Sequence, residues 1–414
     1  MSPTSTRPPL SERKLLFLLG SVQFINILDF MMVMPLGPDF ARALAIPTNR
    51  LGLVAGVYTA SAAVSGLIAA LFLDRFDRRR ALFVAMLGLV TGTAAGGFAT
   101  DFGTMLASRI LAGAFGGPAT AIMLSILADA VPPQRRGRAL GAVMGALSAA
   151  SVVGVPVGLK LAELGGWKTP FFVVAGLGVL IASGVVFLLP PMRGHLAAGG
   201  QRVLARPLRA FLTDPAVLLS LTATAVTMGG AFAVIANLSA FLQYNLGYPR
   251  ERLEILYMAG GLSSFFSMRV AGWFVDRRGS VPVVIAGTLL ILTVLSLGFV
   301  FEKPLIPVVA IFMLFMIGNS TRLVALNTLT TRVPPPAERG RFMSAQSAVQ
   351  HLSTALGAGV STAVLSARAD HSLVGMPTLA WGAVVLSVLL PFLVAAVTRR
   401  VKSRDASAPS VATA

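Results

Sequence analysis

Cysteine is absent from the 414 residues, which excludes disulfides and thiolate metal sites. Charge is scarce too. Only 12% of residues are charged, about half of the roughly 25% usual in soluble chains. A chain this poor in charge cannot cover a water-facing surface. It also has no HExxH zinc motif, no nucleotide-binding P-loop and no paired carboxylates within an apolar run, so an enzyme is not expected. Acids are outnumbered by bases, 16 to 34, giving a net charge of +18. The bases form short clusters between apolar runs without interleaved aromatics, so no nucleic-acid partner is expected.

What is present is apolar: 55% of residues are hydrophobic. They gather into twelve runs of about twenty residues, the length at which a helix crosses a hydrocarbon core of about 30 Å. The runs are continuous rather than alternating, which selects helices over barrel strands. Six runs fill residues 15–190 and six fill 215–398, with polar tails at 1–14 and 399–414 and a Gly- and Arg-rich linker at 191–214. The expected fold is therefore all-α, with twelve transmembrane helices in two six-helix bundles. Clusters such as Arg78–Arg80, Arg135–Arg138 and Arg399–Arg404 occupy every second connection and outnumber the bases of the other connections by about three to one. By the positive-inside rule both termini are cytoplasmic.

The two sets of spans repeat one another. Asp74-Arg75 recurs as Asp276-Arg277, Val131-Pro132-Pro133 as Val333-Pro334-Pro335, and Arg136-Gly137-Arg138 as Arg339-Gly340-Arg341, at a spacing of about 202 residues. An even number of spans per copy keeps the same face inward, so the halves are related by an axis along the membrane normal.

The loop of the second copy, with Gly272, Asp276, Arg277 and Gly279, resembles the G-x-x-x-D-R-x-G-R-R pattern of the major facilitator superfamily. The first copy keeps Asp74, Arg75, Arg78 and Arg79 but has Ala70 and Asp77 where the pattern has glycines. Within that superfamily the chain is most similar to the twelve-span drug:proton antiporters and sugar-efflux proteins. Arg109 to Gly113 in the fourth span resembles their R-x-x-x-G motif. Gly154, Pro156 and Gly158 in the fifth resemble their antiporter motif, with Val155 inserted between Gly and Pro. The resemblance implies the major facilitator fold, a bacterial inner membrane location and a cytoplasmic gate. That gate comprises Asp74, Arg75, Arg78, Asp129, Asp276, Arg277 and Gly279.

Ionisable residues within spans are costly, at least about 2.5 kcal/mol on insertion scales, and so point to function. Asp29 is the one carboxylate deep within a span, and Gln23, Asn26 and Asp29 share one face of the first helix. Asp29 lies roughly 12 Å and Arg109 roughly 8 Å from the same membrane edge. Burial disfavours charge on a carboxylate and an adjacent arginine favours it, so this pair suits proton coupling. A static ion pair orienting two helices is the plain alternative. In the second half Asn237, Asn319, Arg322, Gln346 and Gln350 are candidates for the cavity wall facing Gln23 and Asn26, or else for interhelical polar contacts. Arg322 has no obvious acidic partner in its own half and so hints at an anionic substrate. His351 is a candidate proton shuttle or a simple hydrogen-bonding residue.

The expected function is export of a small organic solute (drug-like, sugar-like or an organic acid) in exchange for protons by alternating access. Proton-coupled uptake is the nearest alternative, and a membrane-embedded enzyme or structural protein a remote one. The partners expected are the small-molecule substrate, protons and the lipid bilayer. The chain is expected to be monomeric, without metal or cofactor, and driven by the proton gradient.

Overall fold

In lipid a backbone must satisfy its own polar groups, and in the computed structural model each apolar run does so as a helix. The structure describes residues 11–72, 75–132, 135–192, 211, 213–301, 304–334 and 338–407. Among them are twelve long helices. In the first half these are α1 (Glu12–Ala43), α2 (Leu51–Phe72), α3 (Arg78–Gly97), α4 (Phe102–Ala130), α5 (Arg136–Ala149 and Val155–Gly165, joined by a π-helical turn at Ala150–Gly154) and α6 (Thr169–Leu188). The second half has α7 (Pro215–Ile235, extended through Leu238–Ala240 and a π-helical Phe241–Asn245) and α8 (Leu253–Arg278). It continues with α9 (Ser280–Leu295, ending in a π-helical Ser296–Val300), α10 (Val308–Thr330), α11 (Arg339–Val364) and α12 (Met376–Ser407). A short antiparallel hairpin, Ser366–Ala367 with Leu373–Val374, joins the last two helices.

Ten of the twelve helices are apolar enough to cross a membrane by composition alone, and α8 and α11 are the two that are not. These two carry Ser263, Ser264, Ser267, Gln346, Ser347, Gln350, His351, Ser353 and Thr354. Both pack across the junction of the halves, α8 on α5 and α11 on α2, where polar side chains need not face lipid.

Pseudo-symmetry is visible in the packing. In the first half α2 and α3 pack on α4, α3 on α6, and α1 on α5; in the second, α8 and α9 pack on α10, α9 on α12, and α7 on α11. The repeated loop is closed differently in each copy. Gly279 turns the chain with φ 83°, a conformation that favours glycine. Its counterpart Asp77 has φ −57° and instead caps α3, accepting from the Arg79 and Arg80 amides at 2.9 and 3.3 Å. Asp101 caps α4 in a reciprocal box with Thr104. The Thr104 amide bond is the main reason its carboxyl is held below the ordinary range.

The helices at the chain ends run further than expected. The start of α1 is tied to the α4–α5 connection by a 2.9 Å ion pair between Glu12 and Arg135. The span expected to stop at 398 continues to Ser407, because Arg404 reaches back to the Arg332 and Val333 carbonyls. Most of the expected linker, 193–210, lies outside the described residues.

The buried apolar core is continuous between the halves on the face opposite the arginine clusters, where Leu238, Leu253 and Leu365 join the residues of the first half. On the arginine-rich face it divides. There Phe211, Val217, Val275, Leu329, Phe342 and Val394 form a separate cluster belonging to the second half. The halves are thus sealed together on one face and independent on the other.

Candidate functional site

The polar side of α1 is turned into the first half. Asp29 Oδ1 accepts from Arg109 Nη1 at 3.0 Å and from Thr93 Oγ1 at 2.8 Å. Asp29 is 0% exposed and Arg109 1%. The guanidinium is held by more than the acid: Nη2 donates to the Gly92 carbonyl at 3.2 Å, and the group lies 5.3 Å from the centre of the Phe171 ring. Asp29 Oδ2 is buried and receives no hydrogen bond among the described residues. Two charges taken out of water persist only when paired and further hydrogen-bonded. Here Arg109 meets that condition more fully than Asp29, and one carboxylate oxygen is left open to a proton.

The next turn inward extends the network. Asn26 Nδ2 donates to the Gly116 carbonyl at 2.8 Å and to Thr120 Oγ1 at 2.7 Å, and Asn26 Oδ1 accepts from Tyr58 Oη at 2.7 Å. Thr120 in turn donates to Gln23 Oε1 at 3.4 Å. Gln23 and Asn26, expected on the substrate-cavity wall, are thus bonded to α4 and, for Asn26, to α2. A bundle interior shelters polar groups from lipid as well as a passage does, so either satisfies such a stripe. Gly113 permits this packing: a Cβ there would lie 2.2 Å from the Tyr58 carbonyl oxygen.

One turn beyond Asn26, on the same face of α1, Phe30 reaches the other half. The Phe30 ring stacks on Tyr58 with centroids 5.4 Å apart and lies 5.8 Å from Phe232 of α7. A narrow crevice lined by Phe30, Val33, Val54, Ala55, Tyr58 and Arg109 lies beside these rings and is too tight for a water molecule.

In the second half, Arg322 is 3% exposed and donates to Ser387 Oγ of α12 at 3.0 Å and to Asn319 Oδ1 at 2.6 Å. Its stem passes Gly287 of α9, and no carboxylate pairs with it among the described residues. Arg322, also expected on the cavity wall, is thus turned toward α9 and α12, while Asn319, expected there too, donates to the Phe315 carbonyl of its own helix at 3.0 Å. The structural basis for reading an anionic substrate from Arg322 goes with that placement. Asn237 sits where α7 breaks and donates to Ser361 Oγ of α11 at 2.8 Å. Gln346 donates to Thr330 Oγ1 of α10 at 3.2 Å. Gln350 is exposed and His351 half-buried.

On the arginine-rich face, Arg78 Nε meets Asp129 Oδ2 at 2.6 Å and ties α3 to the end of α4. Asp74 lies outside the described residues, and Arg75 is exposed. Asp276 is exposed and pairs with no cation among the described residues, while Arg277 covers the Trp273 ring at 3.9 Å. Asp276, expected in the gate, thus makes no ion pair with the described residues on this face, where the halves stand apart.

Gly154, Pro156 and Gly158 flank the π-helical turn of α5. The Val155 amide bonds back five residues to the Ala150 carbonyl, and Pro156 supplies no amide at the next position. Gly154 lies against Leu28 of α1, where a Cβ would approach to 2.8 Å, and Gly158 faces Met32. Ser151 and Val152 of the same turn receive Gly261 of α8. The motif glycines thus pack α5 on α1 within the first half, and the π-helical turn before them meets α8 of the other half.

Among the described residues, the hydrogen bonds, ion pairs and ring contacts that join the halves run from the level of Phe30 to the face opposite the arginines. They include Arg250 with Asp39, Nε lying 3.0 Å from Oδ1 and Nη2 2.6 Å from Oδ2, and Thr48 and Asn49 donating to the His371 and Leu365 carbonyls at 3.0 and 3.1 Å. Ser239 Oγ donates to the Pro35 carbonyl at 3.2 Å. Asp39→Asn is expected to favour opening of this face by about fivefold, the effect of roughly 1 kcal/mol. The yield of cross-linking between cysteines placed at Asn49 and Leu365 checks it, and the exchange Asp39→Arg with Arg250→Asp should restore the yield. The cysteine-free chain needs no prior substitution for this measurement.

Sequence reasoning missed Thr93, Thr120, Tyr58 and the Asp39–Arg250 pair. Threonine is unremarkable in an apolar helix, where its hydroxyl commonly bonds its own backbone, as Thr93 also does to Leu89 at 2.9 Å. Asp39 and Arg250 lie in separate halves and nothing in their local sequence links them.

Two repeated helical bundles, sealed on one face and apart on the other, with an enclosed ion pair in the membrane, define a membrane transporter rather than an enzyme. The Major Facilitator Superfamily model matches residues 19–358 and 271–411, and the chain belongs to that superfamily. It is 28% identical over 364 residues to a chloramphenicol resistance protein of Streptomyces lividans, covering 87% of this chain and 91% of that one. It is also 28% identical over 280 residues to the purine ribonucleoside efflux pump NepI of Escherichia coli K12, covering 67% and 68%. The fold is similar to that of a bacterial homologue of the human lysosomal transporter Spinster in an inward-facing, occupied conformation, with TM-score 0.72, 16% identity and coverage of 95% and 98%.

Proposed function

We propose that this transporter exports a small organic solute in exchange for protons, by alternating access, from a bacterial inner membrane in which the arginine-rich face is cytoplasmic. The observation that carries the reading is the enclosed Asp29–Arg109 pair with one carboxylate oxygen unpaired. In this reading Oδ2 takes the proton. Protonation removes the charge that holds Arg109, and the pair re-forms when the proton leaves, so occupancy of one atom alters the packing of α1, α3 and α4. The proton gradient supplies the driving force, with no cofactor, and one chain suffices.

Export rather than uptake is supported by relatives named for chloramphenicol resistance and purine ribonucleoside efflux. Those two names also give the first solutes to test. The wall that α1 turns to the other half offers aromatic and apolar contact, which favours a solute with a flat, weakly charged portion.

The test is transport in proteoliposomes with an imposed pH gradient, using chloramphenicol and purine nucleosides as probes. The wild-type protein is expected to move one of them against its own gradient and to acidify or alkalinise the lumen accordingly. Asp29→Asn should abolish that coupling while leaving downhill exchange of the same solute. Coupling that survives in Asp29→Asn leaves the pair as a structural tie between helices.

A further inference from the structure

The Asp29–Arg109 pair is separated from the junction of the halves by one layer of aromatic side chains. Tyr58 is fixed in that layer, since its hydroxyl donates to Asn26 at 2.7 Å. Phe30 has no such anchor. It is half-buried and held by two rings: Tyr58 of its own half at 5.4 Å and Phe232 of the other half at 5.8 Å. Beside it lies the crevice that reaches Arg109 and that no water can enter as the side chains stand. A water needs a site of its own size and polar partners; Arg109 borders this space, and the unpaired Asp29 Oδ2 belongs to the same ion pair. Width is what is lacking, and Phe30 sets the width.

We infer that Phe30 is a movable lid that controls when water, and with it protons, can reach Asp29. The inference rests on the proton-coupling reading given above and adds its timing. While the face opposite the arginines is closed, Phe232 pins the ring over the crevice. When that face opens, α7 leaves α1 and takes Phe232 with it, so the ring is free to swing and protons enter from that side. On the other side, a solute arriving between the halves from the arginine-rich face meets Phe30 at the roof of the space and displaces it. A proton then leaves only when solute has arrived. Phe30 touches neither proton nor Arg109 by hydrogen bond; it acts by excluding water.

Two readouts on the purified full-length protein test this. One is modification of Asp29 by a water-soluble carbodiimide, located by mass spectrometry with Asp29→Asn as the blank. The other is proton leak, without any solute, into liposomes carrying a trapped pH-sensitive dye. Phe30→Ala should raise both by about tenfold, equivalent to roughly 1.4 kcal/mol. Phe30→Trp should lower modification below that of the wild type. Unchanged modification in Phe30→Ala, or modification that does not fall in Phe30→Trp, overturns the lid, and the second variant decides alone if the first does not fold. Failure of the coupling reading has a separate signature: Asp29→Asn keeps proton-driven transport, whatever carbodiimide shows about access.

Discussion

Arg109→Leu will destabilise the protein by about 3–5 kcal/mol, the usual cost of leaving one member of a buried ion pair alone. The carboxylate it leaves behind is 0% exposed and keeps one donor, Thr93. Asp29→Asn should cost less, because an amide fills the same volume and can still accept from Thr93 and Arg109. The double variant Asp29→Asn with Arg109→Leu should recover most of the loss, since no charge then remains in the enclosure. Thermal unfolding in detergent across a pH series measures all three, and the coupling energy follows from the cycle. Equal and additive losses would mean that the two side chains do not depend on one another. The cycle also bears on function: a pair kept only to orient helices should be replaceable by the neutral double variant with transport intact, whereas a proton carrier should not.

Depth along each helix was legible in the sequence, and direction around it was not. Residue counting from the span ends put Asp29 and Arg109 at one level, and the structure brings them to 3.0 Å. The repeat of Asp74-Arg75 as Asp276-Arg277 predicted two like halves, and the helix pairing of α1 to α6 recurs in α7 to α12. The Arg78–Asp129 pair was expected only through family resemblance; nothing in the spacing of those residues implies it. Arg322 was read onto the passage wall, and its side chain is turned to Ser387 of α12 instead. A polar stripe says only that a face avoids lipid. In a twelve-helix bundle two kinds of surface meet that demand, the interior of each half and the passage between halves, and hydropathy scores them alike. What distinguishes them is the partner: Thr120 for Asn26, Ser387 for Arg322. Both partners are hydroxyls on helices that the linear sequence does not mark as neighbours. Asp77 teaches the converse lesson. Its departure from glycine was visible at once, yet only the structure showed that a side-chain cap does the work of a left-handed turn at the matching position, Gly279.

Gly261→Val will arrest the transport cycle with the face opposite the arginines held open. A Cβ at Gly261 would stand 2.7 Å from the Ser151 carbonyl oxygen, 2.8 Å from its carbon and 3.0 Å from the Val152 nitrogen. All three are backbone atoms of the π-helical turn in α5, already spread by one extra residue per turn, and they cannot retreat as a side chain would. The obstruction lies between the halves rather than within either one, so each bundle should still fold. Transport falls by well over tenfold if closing the junction costs more than about 1.4 kcal/mol, and a clash with three backbone atoms exceeds that. Cysteines at Asn49 and Leu365, whose side chain and carbonyl lie 3.1 Å apart when this face is shut, should no longer cross-link in the Gly261→Val background. A cysteine introduced at Phe232 should at the same time become reactive to a membrane-impermeant thiol reagent from that face. Gly261→Ala adds the same first carbon with nothing beyond it, and it should show an intermediate rate. A Gly261→Val protein that cross-links and transports like the wild type would show that α5 and α8 slide past one another at this turn, and that the halves do not part there.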